Sequence, residues 1–248
     1  MKLSVVIITR DEAPVIARCL ESVAWADEII VLDSGSTDAT VEIARSHGAK
    51  VAIAGDWPGY GAQKNRALEL ATGEWVLALD ADEWVNDELH AEIKAALEAP
   101  GTHAAFRMPR RSSYCGHWMR HSGWWPDYVT RLFRRKTARF SPDLVHEKLL
   151  VDGAVGTLGA PLLHEAIRSL EQALDKMNAY SSAGAAMLAA RGRRASLATA
   201  VGHGLWTFVR TYFLRLGFLD GRAGFMLAVS NAEGAYYRYL KLALREQS

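Results

Sequence analysis

A chain of 248 residues, half of them hydrophobic, is long enough to bury a sizeable core as one large domain or as a domain with an appendage. Its two cysteines, Cys19 and Cys115, lie far apart and outside any CxxC spacing, which argues against a disulfide framework or a zinc cluster and suits a reducing cytoplasm. The formal net charge of +1 conceals an asymmetry: residues 1–100 hold 8 Lys/Arg against 18 Asp/Glu, residues 101–248 hold 21 against 10, a polarity that suits an anionic substrate or a membrane surface better than a nucleic acid.

Met1-Lys2-Leu3-Ser4 leads straight into a strand pattern without the basic and apolar regions of a secretory signal, so a cytoplasmic location is expected. Leu3 to Ile8 is a β-branched run, followed by Thr9-Arg10-Asp11-Glu12 and by Pro14 leading the periodic Val15, Ile16, Cys19, Leu20 and Val23: strand, loop, helix. Glu28 to Leu32 repeats the strand and ends at Asp33-Ser34-Gly35-Ser36-Thr37-Asp38, whose last three residues are candidate caps for a helix over Ala39 to His47. Lys50 to Ala54 is a third strand, Gly59 opens a helix to about Ala71, and Gly73 stops it. Three or four such units in about 80 residues predict a right-handed, mostly parallel, doubly wound α/β sheet. Neither GxGxxG nor a P-loop follows the first strand, so a standard dehydrogenase or NTPase is not expected.

The chain is organised around Glu74 to Glu83. An apolar strand, Trp75 to Leu79, stops abruptly at Asp80-Ala81-Asp82-Glu83. The carboxyl ends of parallel strands are where ligands bind, and two close hard oxygen donors suit Mg²⁺ or Mn²⁺ carrying a diphosphate. Asp and Glu also favour the first turn of a helix, which is the role expected of Glu83.

Asp87 to Ala99 reads as an amphipathic helix ended by Pro100-Gly101. Two strands, Ala105 to Arg111 and Val129 to Arg135, then flank a loop crowded with Tyr114, His117, Trp118, Arg120, His121, Trp124, Trp125, Asp127 and Tyr128, a length and composition typical of a functional loop. Short strands are expected within Phe140 to Val151, which contains His146-Glu147, and over Leu158 to His164. From Ala166 the pattern is helical: Leu170 to Ala190, a basic hinge Arg191 to Arg194, Leu197 to Leu219 and Ala223 to Leu244. Arg210 and Arg215 interrupt the most apolar stretch, so a surface-lying amphipathic helix or a core or dimer helix is expected rather than a membrane span.

The order of Thr9 after one strand, Asp33 to Asp38 after the next, Gln63-Lys64-Asn65-Arg66, and Asp80-Ala81-Asp82 resembles glycosyltransferase family 2 over residues 3–165. Gly123 to Tyr128, Arg131 to Arg135, Val145-His146-Glu147 and Gly217 to Gly221 narrow the resemblance to lipopolysaccharide core β-1,4-glucosyltransferases. The resemblance implies a GT-A fold: a Rossmann-like sheet over residues 1–165, its nucleotide-sugar half over 1–100 and its acceptor half, with a smaller sheet, over 101–165. Residues 166–248 then form a helical extension. It further implies inverting transfer of glucose from UDP-glucose to an inner-core heptose, by an enzyme peripheral on the inner face of the cytoplasmic membrane. Thr9, Glu12, Asp33 and Lys64 are expected at the nucleoside and phosphates, and Asp80 at the ribose hydroxyl or a metal-bound water. The family often has Asp-Asp where this chain has Asp33-Ser34, leaving the uracil-reading carboxylate open.

Transfer from a nucleoside diphosphate requires charge neutralisation on the leaving group and a base for the acceptor hydroxyl. Asp82 is the expected metal ligand, with His164 and His146 as further candidates. Arg131 is the expected diphosphate contact, because a guanidinium matches phosphate oxygens bidentately; otherwise it is a surface cation beside Arg134 and Arg135. Glu147 is preferred as base over Asp127, both from the acceptor half. Trp124 and Trp125 are candidates to stack on a sugar ring. Transfer to another surface glycan or lipid-linked sugar, and a catalytically silent nucleotide-sugar-binding scaffold, stand as alternatives; a nucleotidyltransferase would usually carry a Gly-rich basic first loop. The oligomeric state is left open by the sequence.

Overall fold

The computed structural model describes residues 2–141 and 148–245. In chain order its elements are β1 (Leu3–Thr9), α1 (Ile16–Ser22), β2 (Glu28–Asp33), α2 (Thr40–Ser46), β3 (Lys50–Ile53), α3 (Tyr60–Leu70), β4 (Trp75–Asp80), β5 (Glu83–Val85), α4 (Asp87–Glu98), β6 (His103–Tyr114), β7 (His117–Trp118), β8 (Asp127–Arg134), β9 (Ala138–Phe140), β10 (Leu149–Val151), β11 (Ala154–Thr157), β12 (Leu162–Ile167), α5 (Leu170–Ala190), α6 (Leu197–Val209) and α7 (Gly221–Arg245). They form two compact units, Met1–Arg110 with Asp127–His164, and Arg111–Pro126 with Glu165–Ser248.

In the first unit the strand order is β3-β2-β1-β4-β8-β6-β12-β5, with β11 on the side of β6. The strands from β3 to β4 are parallel, and β8 then joins β4 antiparallel. The sheet is therefore mixed: the βα repeats make its parallel half, and most of the later strands extend it. Among the described residues β9 and β10 form the smaller second sheet, as an antiparallel pair. All seven residues of β1 are buried, as in a parallel strand covered on both faces. One core cluster, including Ile7, Ile16, Leu20, Leu77, Leu79, Leu89 and Ile93, packs one face; the other, including Ile8, Ile30, Ala67, Val76 and Phe133, packs the opposite face. Alternate residues of β1 and β4 divide between these clusters, the period-2 consequence of the pleat.

The second unit takes the aromatic segment 111–126, which the sequence assigns to an acceptor half ending at residue 165. Tyr114, Met119, Ala173, Ala223 and Leu227 share a buried cluster with partly buried Cys115, Trp124 and Ile167, so Tyr114, Cys115, Met119 and Trp124 of this loop pack with the helices. α5 spans the expected residues, capped by Ser169, whose side chain accepts from the Gln172 N–H. The expected helix over Leu197 to Leu219 is instead broken. α6 ends at Val209, the Arg215 N–H reaches back to the Arg210 carbonyl in a wide turn, Leu216 takes a left-handed φ of 55°, and a tight turn of helix over Gly217–Asp220 leads into α7. Gly217 makes this crossing possible, since a Cβ there would lie 2.7 Å from the Thr211 carbonyl oxygen. Asp220 then accepts bonds from the Arg120 and His121 N–H groups, each at 3.0 Å, and from the Ser122 hydroxyl at 3.1 Å, which fixes the aromatic loop. No helix among the described residues is long and apolar enough to cross a membrane.

Candidate active site

The parallel register aligns three strand ends. Thr9 pairs with Asp33, and Ile8 pairs with Asp80, so the carboxyl ends of β1, β2 and β4 meet along one edge. The loops leaving β1 and β2 are stitched together: the Asp11 N–H donates to the Ser36 hydroxyl at 2.8 Å, the Glu12 N–H to the Thr40 hydroxyl at 2.8 Å, and the Thr37 N–H to Asp11 Oδ1 at 2.7 Å. Asp33 is buried at this edge, but its oxygens serve its own loop. Oδ1 accepts the Gly35 and Ser36 N–H groups at 2.9 Å, and Oδ2 accepts the Ser36 hydroxyl. Thr9 is buried as well, and its hydroxyl has no hydrogen-bond partner among the described residues.

Behind this edge runs a chain of alternating charges. Lys64 of α3, buried, meets Asp80 Oδ1 at 2.9 Å. Arg131 Nη2 donates to Asp80 Oδ2 at 2.5 Å and to Glu83 Oε1 at 2.6 Å. Arg110 Nη1 donates to the same Glu83 oxygen at 3.2 Å, while its Nε and Nη2 donate to Asp127 Oδ2 at 3.1 and 2.7 Å. Three cations thus alternate with three carboxylates. Arg131 owes its direction to a bulge: Phe106 pairs with Leu132 and Arg107 with Thr130, leaving Arg131 as the extra residue of β8, turned inward beside Leu132 and Phe133. Arg131 is thus buried, which removes the alternative of a surface cation. Arg110 and Asp127 are direct cross-strand partners, which explains their contact.

Burial alone would raise the Asp80 carboxyl, but Arg131 and then Lys64 outweigh it and hold Asp80 well below the ordinary carboxylate range. The same exchange works on Arg131, where burial is overcome by Asp80 and Glu83 and the guanidinium is pushed further up. The two cations thus favour the ionised form of Asp80. Glu83 is fully buried at the start of β5, not in the first turn of a helix as its sequence position suggests. Its Oε2 accepts the Asp80 N–H at 3.0 Å, closing the turn that carries Asp82.

Asp82 Oδ2 lies 3.4 Å from His164 Nε2, because β12 pairs with β5 and sets His164 opposite Glu83. A carboxylate oxygen and an imidazole nitrogen converge here, a donor pair compatible with a borderline divalent cation such as Mn²⁺. Among the described residues no group of three or more metal-ligating side chains forms, so a cation at this pair would take its remaining ligands from substrate oxygens and water. Asp127 is partly exposed, and both of its bonds go to Oδ2, leaving Oδ1 without a partner among the described residues. The other sequence candidates, Glu147 and His146, lie outside the described residues. Trp124 belongs to the second unit, edge-on to Tyr114 with ring centroids 6.0 Å apart, and does the packing of that unit's core.

Two participants were not legible as such: Glu83 and Arg110. The one signal for Glu83 was its place directly after the aspartates; for Arg110 it was the β6–β8 register, which sequence leaves undetermined.

The family model described as Glycosyl transferase family 2 matches residues 4–150. An uncharacterized glycosyltransferase of Rickettsia prowazekii is 33% identical, covering 100% of this chain and 88% of the relative. The lipopolysaccharide core biosynthesis glycosyltransferase LpsC of Rhizobium meliloti is 30% identical over 98% of this chain and 91% of its own. Among solved structures, Staphylococcus aureus TarS 1-349 in complex with UDP-GlcNAc superposes with a TM-score of 0.52 at 16% identity, covering 100% of this chain and 93% of that one.

Proposed function

Because the chain belongs to glycosyl transferase family 2 and has the GT-A fold, we propose that it moves glucose from UDP-glucose to a heptose of the lipopolysaccharide inner core, with inversion. The observation that carries this reading is Asp80, held anionic at a parallel strand end by Lys64 and Arg131, beside the Asp82–His164 pair. The name of the LpsC relative supports the core acceptor, and the UDP-sugar complex of TarS supports the donor class.

In this reading the nucleoside lies along the edge made by Thr9, Glu12 and the Asp33 loop. Asp33 shapes that wall through its loop backbone, and the spare lone pairs of Asp80 accept a ribose hydroxyl. Asp82 and His164 would hold Mg²⁺ or Mn²⁺, which when bound neutralises charge developing on the departing diphosphate. Arg131 and Lys64 add fixed positive charge on the donor side, already desolvated and so strong in its effect. A carboxylate, Glu147 or Asp127, takes the proton of the acceptor hydroxyl as it attacks the anomeric carbon opposite the leaving UDP. One displacement inverts the centre without a covalent intermediate. The test is UDP release from UDP-glucose with Mg²⁺ or Mn²⁺ and a defined truncated core acceptor, with the product linkage read by NMR. Acceptor-dependent release is expected; turnover with a different nucleotide sugar only would overturn the glucose assignment.

The second unit suits a membrane-anchored acceptor. Leu205, Trp206, Phe213, Leu214, Phe218 and Leu219 are each more than half exposed or nearly so, and Arg210, Arg215 and Arg222 are exposed among them. Apolar side chains that enter the acyl boundary, with cations that meet anionic headgroups, make a surface for the inner face of the cytoplasmic membrane. Co-flotation with vesicles of anionic phospholipid, lost when Trp206 and Phe213 are both changed to Ser, is expected. A stable dimer without vesicle binding would reassign the face to a second copy.

A further inference from the structure

Glu83 takes no part in the chemistry above, yet it is the most enclosed charge of the site. Its Oε1 receives Arg131 at 2.6 Å and Arg110 at 3.2 Å, and its Oε2 receives the Asp80 N–H at 3.0 Å. Arg131 continues to Asp80 on the donor side, and Arg110 continues to Asp127 on the acceptor side. Glu83 is thus the anion between two guanidinium groups that otherwise repel each other, since Arg131 acts on Arg110 against its charged form.

We propose that Glu83 is a positioning residue that joins the donor-side pair Asp80–Arg131 to the acceptor-side pair Arg110–Asp127, so that the two halves of the reaction are set in one geometry. This rests on the transferase reading. Three features separate the role from simple packing. A buried carboxylate is expensive to keep unless its bonds do something an apolar residue would not. Glu83 uses both oxygens on groups that flank the reaction and not on the surrounding core. Its one backbone bond goes to Asp80, the residue that begins the Asp80-Ala81-Asp82 turn.

The physical consequence is a divergence between binding and turnover. Glu83→Gln keeps the shape and an acceptor oxygen but removes the negative charge. Arg131 then has Asp80 alone as a carboxylate partner, the donor side becomes more positive, and a bound diphosphate is favoured or unaffected. Arg110 keeps Asp127 as its one carboxylate partner but loses the anion that ties it to Arg131, so the Arg110–Asp127 pair is held less firmly against the donor side. A residue whose only role is packing would weaken UDP binding and turnover together.

The experiment compares wild type, Glu83→Gln and Arg110→Gln by UDP titration calorimetry, by acceptor-dependent UDP release and by thermal unfolding. Arg110→Gln, at a partly exposed side chain, serves where Glu83→Gln does not fold. Expected for both is a kcat about 10- to 100-fold lower with a raised acceptor KM; the UDP Kd is expected equal to or tighter than wild type in Glu83→Gln and within about twofold of wild type in Arg110→Gln. Turnover within about twofold of wild type overturns the inference while leaving the transferase reading intact. UDP binding that weakens in step with kcat overturns it in favour of packing. A wild type that binds UDP but turns over no nucleotide sugar overturns the transferase reading, and the inference falls with it.

Discussion

The two ends of the parallel half of the sheet each set a carboxylate beside a lysine, and they use it in opposite ways. At the amino end Glu28 accepts the Ser4 hydroxyl at 2.5 Å, Lys50 at 2.8 Å, and the Thr72 N–H and hydroxyl at 2.9 and 3.0 Å. These partners come from β1, β3 and the turn before β4, so the acid ties neighbouring strands together and its own carboxylate is saturated. At the carboxyl end Asp80 is held by cations instead, in a chain that runs on to Glu83, Arg110 and Asp127, and it leaves Thr9 Oγ1 and Arg131 Nε without partners among the described residues. A saturated carboxylate stabilises the fold. A chain of charges beside unpaired donors is poised for a ligand, and such strain on hydrogen bonding collects at functional sites.

That contrast can be broken by substitution. The largest effect is expected from Asp82→Ala, which should lower kcat by about three orders of magnitude or more through loss of a metal ligand while leaving the unfolding midpoint near wild type. Full activity in the UDP-release assay would remove Asp82 from the site. Arg131→Met should damage both properties: stability falls by about 2–3 kcal/mol, because Asp80 keeps only Lys64 and the buried Glu83 only Arg110 as a cationic partner, and turnover falls with it. Urea unfolding alongside UDP release checks both.

Glu28→Gln should do the reverse of Asp82→Ala, costing about 2–3 kcal/mol in urea unfolding and leaving kcat within about twofold. Acid titration addresses the same cluster without mutation. Burial would raise the Glu28 carboxyl, but Lys50, Ser4 and Thr72 lower it from 4.5 to about 2. Its folded-state value lies below the unfolded one, so its contribution is complete above pH 4.5 and is lost as pH falls toward 2. Glu28→Gln should remove about 2–3 kcal/mol of the stability difference between those limits, and an unchanged acid profile would deny Glu28 this role. The smallest effect, about 1 kcal/mol, is expected of Asp220→Asn, which keeps one acceptor oxygen for the aromatic loop; hydrogen exchange at Arg120 and His121 would report its loosening.

Much of the parallel half was legible because its signals are local. β-branched runs, short polar loops and the acids after Leu79 each follow from a few adjacent residues, and the observed β1, β2, β3 and β4 begin and end close to where those signals place them. Gly73 was legible as a stop, but not for its main reason: a Cβ there would come within 2.7 Å of both the Lys2 carbonyl oxygen and the Ser4 hydroxyl. The break after Val209 was illegible, since no Pro or polar turn marks it and what breaks it is the close backbone approach at Gly217 and the partners of Asp220.

The sequence by itself determined the parallel frame, the strand ends on which Thr9, Asp33 and Asp80 stand, and the acidic turn that follows β4, because side-chain period and turn chemistry act over a few residues. Only the tertiary structure decided which charges meet. Lys64 reaches Asp80 across 16 positions, Arg131 across 51, and Asp82 finds His164 through the pairing of β12 with β5. Register and a single bulge set those distances, and both are properties of strands brought together by the whole core, which no local stretch of sequence encodes.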